Sequence, residues 1–318
     1  MFINLTGLFF GLFLLVKGAD ILISSAISIG KKLNISEFFL GLIVIGFGTS
    51  LCELVVSIDA VIKGSADISV GNVIGSNIAN LLLVTFAAGI TAELRSIRIS
   101  IFDILFHMIS HIIFLLIFLF SYLNKNYGLI FIFLFVFYLY KSFKNSISDD
   151  VGEIKIENDL FSKLSFEKPL LFGVSICFLS ILITLFGADI TVDSAISISK
   201  ILNISDSFIG LTIIALGTSL PEIATSITAA KKGKSNMIVG NIIGSNIYNL
   251  LLILGFVSLF ENFSYNKEIL SRDALFLVLT VIFFSLVIVR KKKIGKKLAL
   301  ICFSFYLLYM INLYLTNF

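Results

Sequence analysis

Two carboxylates stand deep in apolar sequence. Glu53 ends the block GFGTSLCE, which starts at Gly46, and Glu222 ends ALGTSLPE, which starts at Ala215. A carboxylate at bilayer depth costs about 2.5–3.5 kcal/mol on insertion scales, so each needs a compensating partner. No basic residue is expected at their depth. Lys17 is the one candidate, and Phe186 takes its place in the second block's half. Oxygen-bearing side chains surround the glutamates. Thr49 and Thr218 each precede a glutamate by four residues and share its helix face, with Ser50 and Ser219 beside them. A second pair of blocks, GNVIGSNIANLLL (Gly71 to Leu83) and GNIIGSNIYNLLL (Gly240 to Leu252), adds Asn72, Ser76, Asn77 and Asn80, then Asn241, Ser245, Asn246 and Asn249. Amide and hydroxyl oxygens coordinate cations without adding charge. Together with two carboxylates they form the all-oxygen set that Ca²⁺ takes, about 6–8 ligands at about 2.3–2.6 Å.

The elements that hold these residues must be irregular. Glycine weakens a helix, proline weakens it more, and Pro221 frees a carbonyl in the preceding turn. Irregular backbone at membrane depth is tolerated where it faces protein or a wet cavity. A broken helix in each copy would aim carbonyls, hydroxyls and one glutamate at a common point.

The copies belong to a repeat. Residues 18–89 align with 187–258 without a gap at an offset of 169, with about 40 of 72 positions identical. The chain is 58% apolar and 14% charged, with a mean hydropathy of +1.06. Apolar runs long enough to cross a bilayer recur throughout, near 3–29, 37–62, 69–91, 99–122, 127–143, 169–199, 207–230, 237–259, 272–290 and 298–316. We expect an all-α polytopic membrane protein of ten transmembrane helices. A β-barrel would need shorter, strictly alternating strands. The first span lacks a basic leader and a cleavage site, which predicts a retained helix.

Of the 24 basic residues, 18 fall in odd-numbered loops. The positive-inside bias then places both termini outside, extracellular or periplasmic, and the central loop in the cytoplasm, in a plasma (inner) membrane. Five spans per copy invert the second half relative to the first, an architecture of secondary transporters with substrate at the midplane. The expected units are an N-terminal repeat (1–143), a solvated cytoplasmic linker (144–168) and a C-terminal repeat (169–318). The net charge of +4 reflects loop bias, with no support for a nucleic-acid partner.

Other residues carry blander readings. The glycines at 71, 75, 240 and 244 read as close packing. Asn77 and Asn246 serve either capping and packing or ion contact. Asp20 and Asp189 read as helix–helix hydrogen bonding rather than an ion route. His107 and His111 are four apart, but the second copy lacks them and no third ligand is evident. Cys52, Cys177 and Cys302 offer neither a disulfide framework nor metal spacing.

The blocks GTSLxE and GNxxGSNIxN, each present twice in antiparallel five-span halves, resemble the α-repeats of the cation/Ca²⁺ exchanger superfamily, most closely prokaryotic Na⁺/Ca²⁺ antiporters. The α-repeats would be residues 37–91 and 207–259. The resemblance implies that Glu53 and Glu222 are acidic ligands shared by Ca²⁺ and Na⁺. It implies further that Thr49 and Thr218 give carbonyls to Ca²⁺, that Gly46 and Ala215 give carbonyls to Na⁺, and that Ser50, Ser76, Ser219 and Ser245 contribute oxygens. Asn80 and Asn249 complete the middle of the site. It implies a transporter and not an enzyme, no cofactor beyond the transported Ca²⁺ and Na⁺, the lipid bilayer as surroundings, and function as a monomer.

Departures from the family pattern are informative. Cys52 stands where the family usually has proline, predicting a less sharply kinked second span. Asn249 stands where many sodium-coupled members carry Asp, leaving two formal negative charges. Gly75 and Gly244 stand where the proton-coupled branch usually has an acid, which argues for Na⁺ over H⁺. The rival readings are a H⁺/Ca²⁺ or K⁺-dependent antiporter on the same scaffold, a passive cation channel, and an intramembrane hydrolase using the two carboxylates as acid and base. No GxGD-type motif or metal triad supports the hydrolase.

Overall fold

Apolar runs of this length become long helices, because in lipid a helix satisfies its backbone internally. The computed structural model describes residues 2–64, 66–120, 123–148, 160–202, 217–260, 267–291 and 293–317. In the N-terminal half they form α1 (Phe2–Leu33), α2 (Glu37–Thr49), α3 (Leu51–Ile62), α4 (Ala66–Thr91), α5 (Ile101–Phe120) and α6 (Lys125–Ser148). A short α7 (Leu160–Glu167) precedes α8 (Leu170–Ile201), α9 (Leu220–Lys231), α10 (Ser235–Val257), α11 (Lys267–Lys291) and α12 (Lys296–Asn317). Among the described residues, eight helices are long and apolar enough to cross a membrane, and the bent pair α2–α3 makes a ninth. The expected seventh span, 207–230, is represented by α9, its first part lying outside the described residues.

The repeated blocks break their helices as their composition demands. Ser50 leaves helical geometry (φ −72°, ψ 4°) and starts α3, which is bent 41° from α2. Ser219 starts α9 with nearly the same dihedrals (φ −90°, ψ 0°). Pro221 sits in the first turn of α9, where its missing N–H costs nothing. The matching turn at Ser50 forms with Cys52 in that place, so the break itself does not need the proline. Wide π-helical turns interrupt α2 at Gly41–Gly46, α4 at Asn80–Val84 and α10 at Tyr248–Ile253. Such turns concentrate at functional sites. Gly64 (φ 74°) and Gly233 (φ 67°) end α3 and α9 in the same left-handed turn.

Two tight seams organise the packing. In the first, α2 lies against α10 with backbone facing backbone. A Cβ on Gly41 would overlap the Met237 carbonyl, one on Gly240 the Phe38 carbonyl, and one on Gly244 would sit 2.8 Å from Leu42 Cα. Gly240 and Gly244 therefore pack as their spacing suggests. Among the described residues a Cβ on Gly71 would have only ordinary contact, with Leu270 at 3.8 Å, and one on Gly75 would have nothing within 4 Å. The second seam joins α1 and α8, antiparallel, where Gly7 meets Ser194, Gly11 meets Thr191, and Gly18 meets Thr184.

One end of the molecule collects the odd-numbered loops. Arg95 and Arg98 donate backbone N–H to Ser235 Oγ (3.1 Å) and Asn236 Oδ1 (2.8 Å). Lys234 pairs with Glu37 at 2.8 Å, and Leu94 and Ile294 exchange backbone hydrogen bonds at 2.9 Å. Beside them the Arg95 guanidinium holds the exposed Glu93 carboxyl below the usual range. The linker departs from expectation. Its residues 160–167 are not merely solvated but form α7, with Ser162 and Ser165 buried, docked on α1.

Candidate functional site

Breaking each helix at Ser50 and Ser219 places a glutamate in the first turn of a new helix, Glu53 in α3 and Glu222 in α9. The helix dipole favours negative charge there, which offsets part of the burial cost. Glu53 is 0% exposed and Glu222 1% exposed. They belong to opposite halves yet lie near enough to act on each other electrostatically. Glu222 sits against the Thr49 and Ser50 hydroxyls of the first half, and Glu53 sits against Ser76 of α4.

What surrounds them is a set of oxygens without partners. Both carboxylate oxygens of Glu53 and of Glu222, the hydroxyls of Ser50 and Ser219, and the side-chain amides of Asn80 and Asn249 are buried and make no hydrogen bond. Every member has its repeat mate in the set. Leaving a buried polar group unsatisfied costs about 1–3 kcal/mol, and more for a charge. So many orphans in symmetric pairs call for an explanation.

The remaining predicted residues divide. Thr49 spends its hydroxyl on the Ile45 carbonyl (2.9 Å), leaving its own carbonyl as the donor it could offer. The Gly46 carbonyl accepts from Ser50 N–H (3.1 Å) and from the Ser245 hydroxyl (3.4 Å) across the halves. Thr218 is half-buried at the turn before α9. Ala215 lies outside the described residues.

Four asparagines make framework contacts, and of these Asn77 and Asn246 also keep a buried Oδ1 without a partner. Asn72 donates to Ser57 Oγ (3.0 Å) and to the Glu53 carbonyl (3.2 Å). Asn241 repeats the first bond on Ser226 Oγ at 3.1 Å. Asn77 and Asn246 clasp each other across the pseudo-twofold axis, each Nδ2 reaching the other's carbonyl at 3.2 and 3.4 Å. Behind this clasp stands a residue whose role spacing did not reveal. His111 meets Asn77 Nδ2 through Nε2 at 3.3 Å, while its Nδ1 lies 2.7 Å from the His107 carbonyl. The buried His107–His111 pair was the available signal, hidden because the offset of 169 puts Thr280 in the place of His111.

Asp20 and Asp189 part company. Asp20 pairs with Lys232 at 3.1 Å, whereas Asp189 is exposed on α8 and near enough to Cys52 to act on it electrostatically. His107 and His111 stack edge to face at 4.6 Å, and no cluster of three metal-ligating His, Cys, Asp or Glu residues occurs among the described residues.

The family model described as sodium/calcium exchanger protein matches twice, over residues 3–144 and 172–315. The chain belongs to this family. Among its relatives, the sodium/calcium exchanger MaX1 of Methanosarcina acetivorans is 33% identical over 291 residues, 81% of this chain and 83% of that one. The inner membrane protein YrbG of Escherichia coli is 31% identical over 290 residues, 88% and 87% of the two chains. Among solved structures, the sodium-calcium exchanger NCX_Mj soaked with Na⁺ and Sr²⁺ matches with a TM-score of 0.82 at 29% identity over 98% of both chains. The exchanger-family member is thus a multi-pass membrane antiporter and not an enzyme, with the inverted-repeat helical fold expected above.

Proposed function

We propose that the chain exchanges Na⁺ for Ca²⁺ by alternating access at one midplane site formed by Glu53 and Glu222. The observation that carries this reading is the symmetric set of buried, unpartnered oxygens around the two glutamates. A dehydrated cation would satisfy them, and an empty, doubly charged cavity should resist closure by desolvation. Ca²⁺ would take the glutamates with carbonyls of Thr49 and Thr218. Na⁺ would use the glutamates with carbonyls of Gly46 and Ala215 and the hydroxyls of Ser50, Ser76, Ser219 and Ser245. Asn80 and Asn249 would close the middle. Because both ions need the same carboxylates, they compete, and competition at one site is what makes an exchanger rather than a channel.

The two repeats, 1–143 and 169–318, would each supply one glutamate, with 144–168 joining them. Charge bias and the inner-membrane relative support a plasma-membrane location with both termini outside and the odd-numbered loops in the cytoplasm. NCX_Mj, whose printed description concerns extracellular ion exchange and Na⁺ with Sr²⁺ or Ca²⁺, supports the choice of ions.

The test uses sealed vesicles with Na⁺, K⁺ and H⁺ gradients imposed separately. ⁴⁵Ca²⁺ uptake should follow the Na⁺ gradient alone and vanish in Glu53→Gln and in Glu222→Gln. Uptake that persists in both variants rejects the site. Uptake driven by H⁺ without Na⁺ moves the chain to the proton-coupled reading.

A further inference from the structure

The lysine that closes α9 reaches across to the first helix. Lys232 Nζ lies 3.1 Å from Asp20 Oδ1 and donates to Ser24 Oγ at 3.0 Å, and its side chain is only 15% exposed. This contact straps α1 to α9 at the end where the odd-numbered loops gather. The repeat carries the same parts a second time. An offset of 169 maps Asp20 onto Asp189 and Lys63 onto Lys232.

The second pair is not made. Lys63 instead donates to Asp59 of its own helix at 2.6 Å, with both side chains more than half exposed. An exposed pair four residues apart is worth at most about 0.5 kcal/mol, so Lys63 can change partners cheaply. Asp59 has no mate in the other half, where Thr228 stands. Asp189 is exposed and acts electrostatically on Cys52, next to Glu53. Asp193 takes the place of Ser24 one turn further on, so Lys63 would find two carboxylates where Lys232 finds one.

In a transporter made of inverted repeats, one half rocks against the other around a fixed site. A contact made by one copy in one state then has its counterpart in the other copy in the opposite state. We infer that Asp20–Lys232 and Asp189–Lys63 are alternating latches, the first closing one end of the ion cavity in this structure and the second closing the other end after the turnover step. Asp20, Lys63, Asp189 and Lys232 are positioning residues that never touch the ion. This rests on the alternating-access reading above.

The test is a charge swap at the pair that is open here. Lys63→Asp, Asp189→Lys and the K63D/D189K double variant are compared with the parent in a Cys177→Ala, Cys302→Ala background. One readout is Na⁺-driven ⁴⁵Ca²⁺ exchange in vesicles, and the other is the rate at which a maleimide labels Cys52. Each single reversal should slow exchange roughly fivefold, the upper end for a partly exposed pair, and speed Cys52 labelling by holding that end open. The swap should bring both rates back to within about twofold of the parent. Since Lys63 and Asp189 do not pair in this structure, such rescue has to come from the opposite state. Parent-like single variants, or a swap as impaired as the singles, overturn the latch. Lys63→Gln replaces any reversal that fails to fold. Should the parent carry no Na⁺-driven Ca²⁺, the exchange reading fails by itself, and Cys52 labelling still decides the latch.

Discussion

In the proposed site the amide at Asn249 would set the charge. Glu53 and Glu222 are the formal negative charges in the unpartnered set, so one Ca²⁺ or two Na⁺ neutralises it, and a third Na⁺ would leave an excess positive charge. Asn80 and Asn249 contribute dipoles, each with a buried oxygen that no protein donor reaches. Replacing Asn249 by Leu keeps the volume and removes that oxygen. A hydrogen-bond-strength contact to a charged group is worth about 1.5–3 kcal/mol, so apparent Ca²⁺ affinity should fall about 10- to 100-fold, read as the half-saturating Ca²⁺ in the vesicle assay. Asn249→Asp keeps an oxygen in place and adds a third formal negative charge, so half-saturating Ca²⁺ should not rise as it does with Leu, and a third Na⁺ should be accommodated more easily. At this scale the chemistry was legible: the residue types and the four-residue steps already gathered carboxylates, hydroxyls and amides. The division of labour was not. Asn72, Asn77, Asn241 and Asn246 share residue type with Asn80 and Asn249, and only their contacts show that their Nδ2 groups brace helices.

The seam between α2 and α10 depends on the absence of side chains at Gly41 and Gly240. Gly41→Ala would push a methyl into the Met237 carbonyl. Overpacking of this kind costs about 1–3 kcal/mol, visible as a lowered unfolding temperature in detergent. The Asn77–Asn246 clasp is two separate bonds. Removing the Asn77 amide strips a donor from the Asn246 carbonyl and from His111, and removing the Asn246 amide strips one from the Asn77 carbonyl. Asn77→Ala and Asn246→Ala should therefore each destabilise by about 1–3 kcal/mol, and the double variant by about their sum. Helix positions followed from the apolar runs, but the interruptions did not. Glycine content announced a break near Gly46–Thr49, whereas the π-turn at Asn80–Val84 runs from Asn80 into the apolar LLLV, with no glycine or proline to announce it. In the first copy Ser50 turns without a proline.

In the proposed site both halves contribute ligands, so ion binding there should hold the whole molecule together. An ion that binds only the folded state adds stability by mass action, about 2.7 kcal/mol at a hundred times its dissociation constant. Saturating Ca²⁺ should raise the unfolding temperature, chelation should lower it again, and Glu53→Gln with Glu222→Gln should lose the shift. Charge counting on two carboxylates also predicts that exchange of two Na⁺ for one Ca²⁺ ignores the membrane potential. A third Na⁺ would couple flux to voltage by about 2.3 kcal/mol per 100 mV, and a potassium diffusion potential across the vesicle separates these outcomes. The docked linker helix has its own consequence. Ser162 Oγ lies 2.8 Å from Ser28 Oγ, and Lys32 Nζ donates to the Lys168 carbonyl at 2.6 Å, so α7 is fastened to the end of α1. If the linker lies in the aqueous phase as its charges suggest, movement of α1 would carry α7 with it, and an antibody fragment or a dye bound to α7 should read the cycle from the solvent side or arrest it.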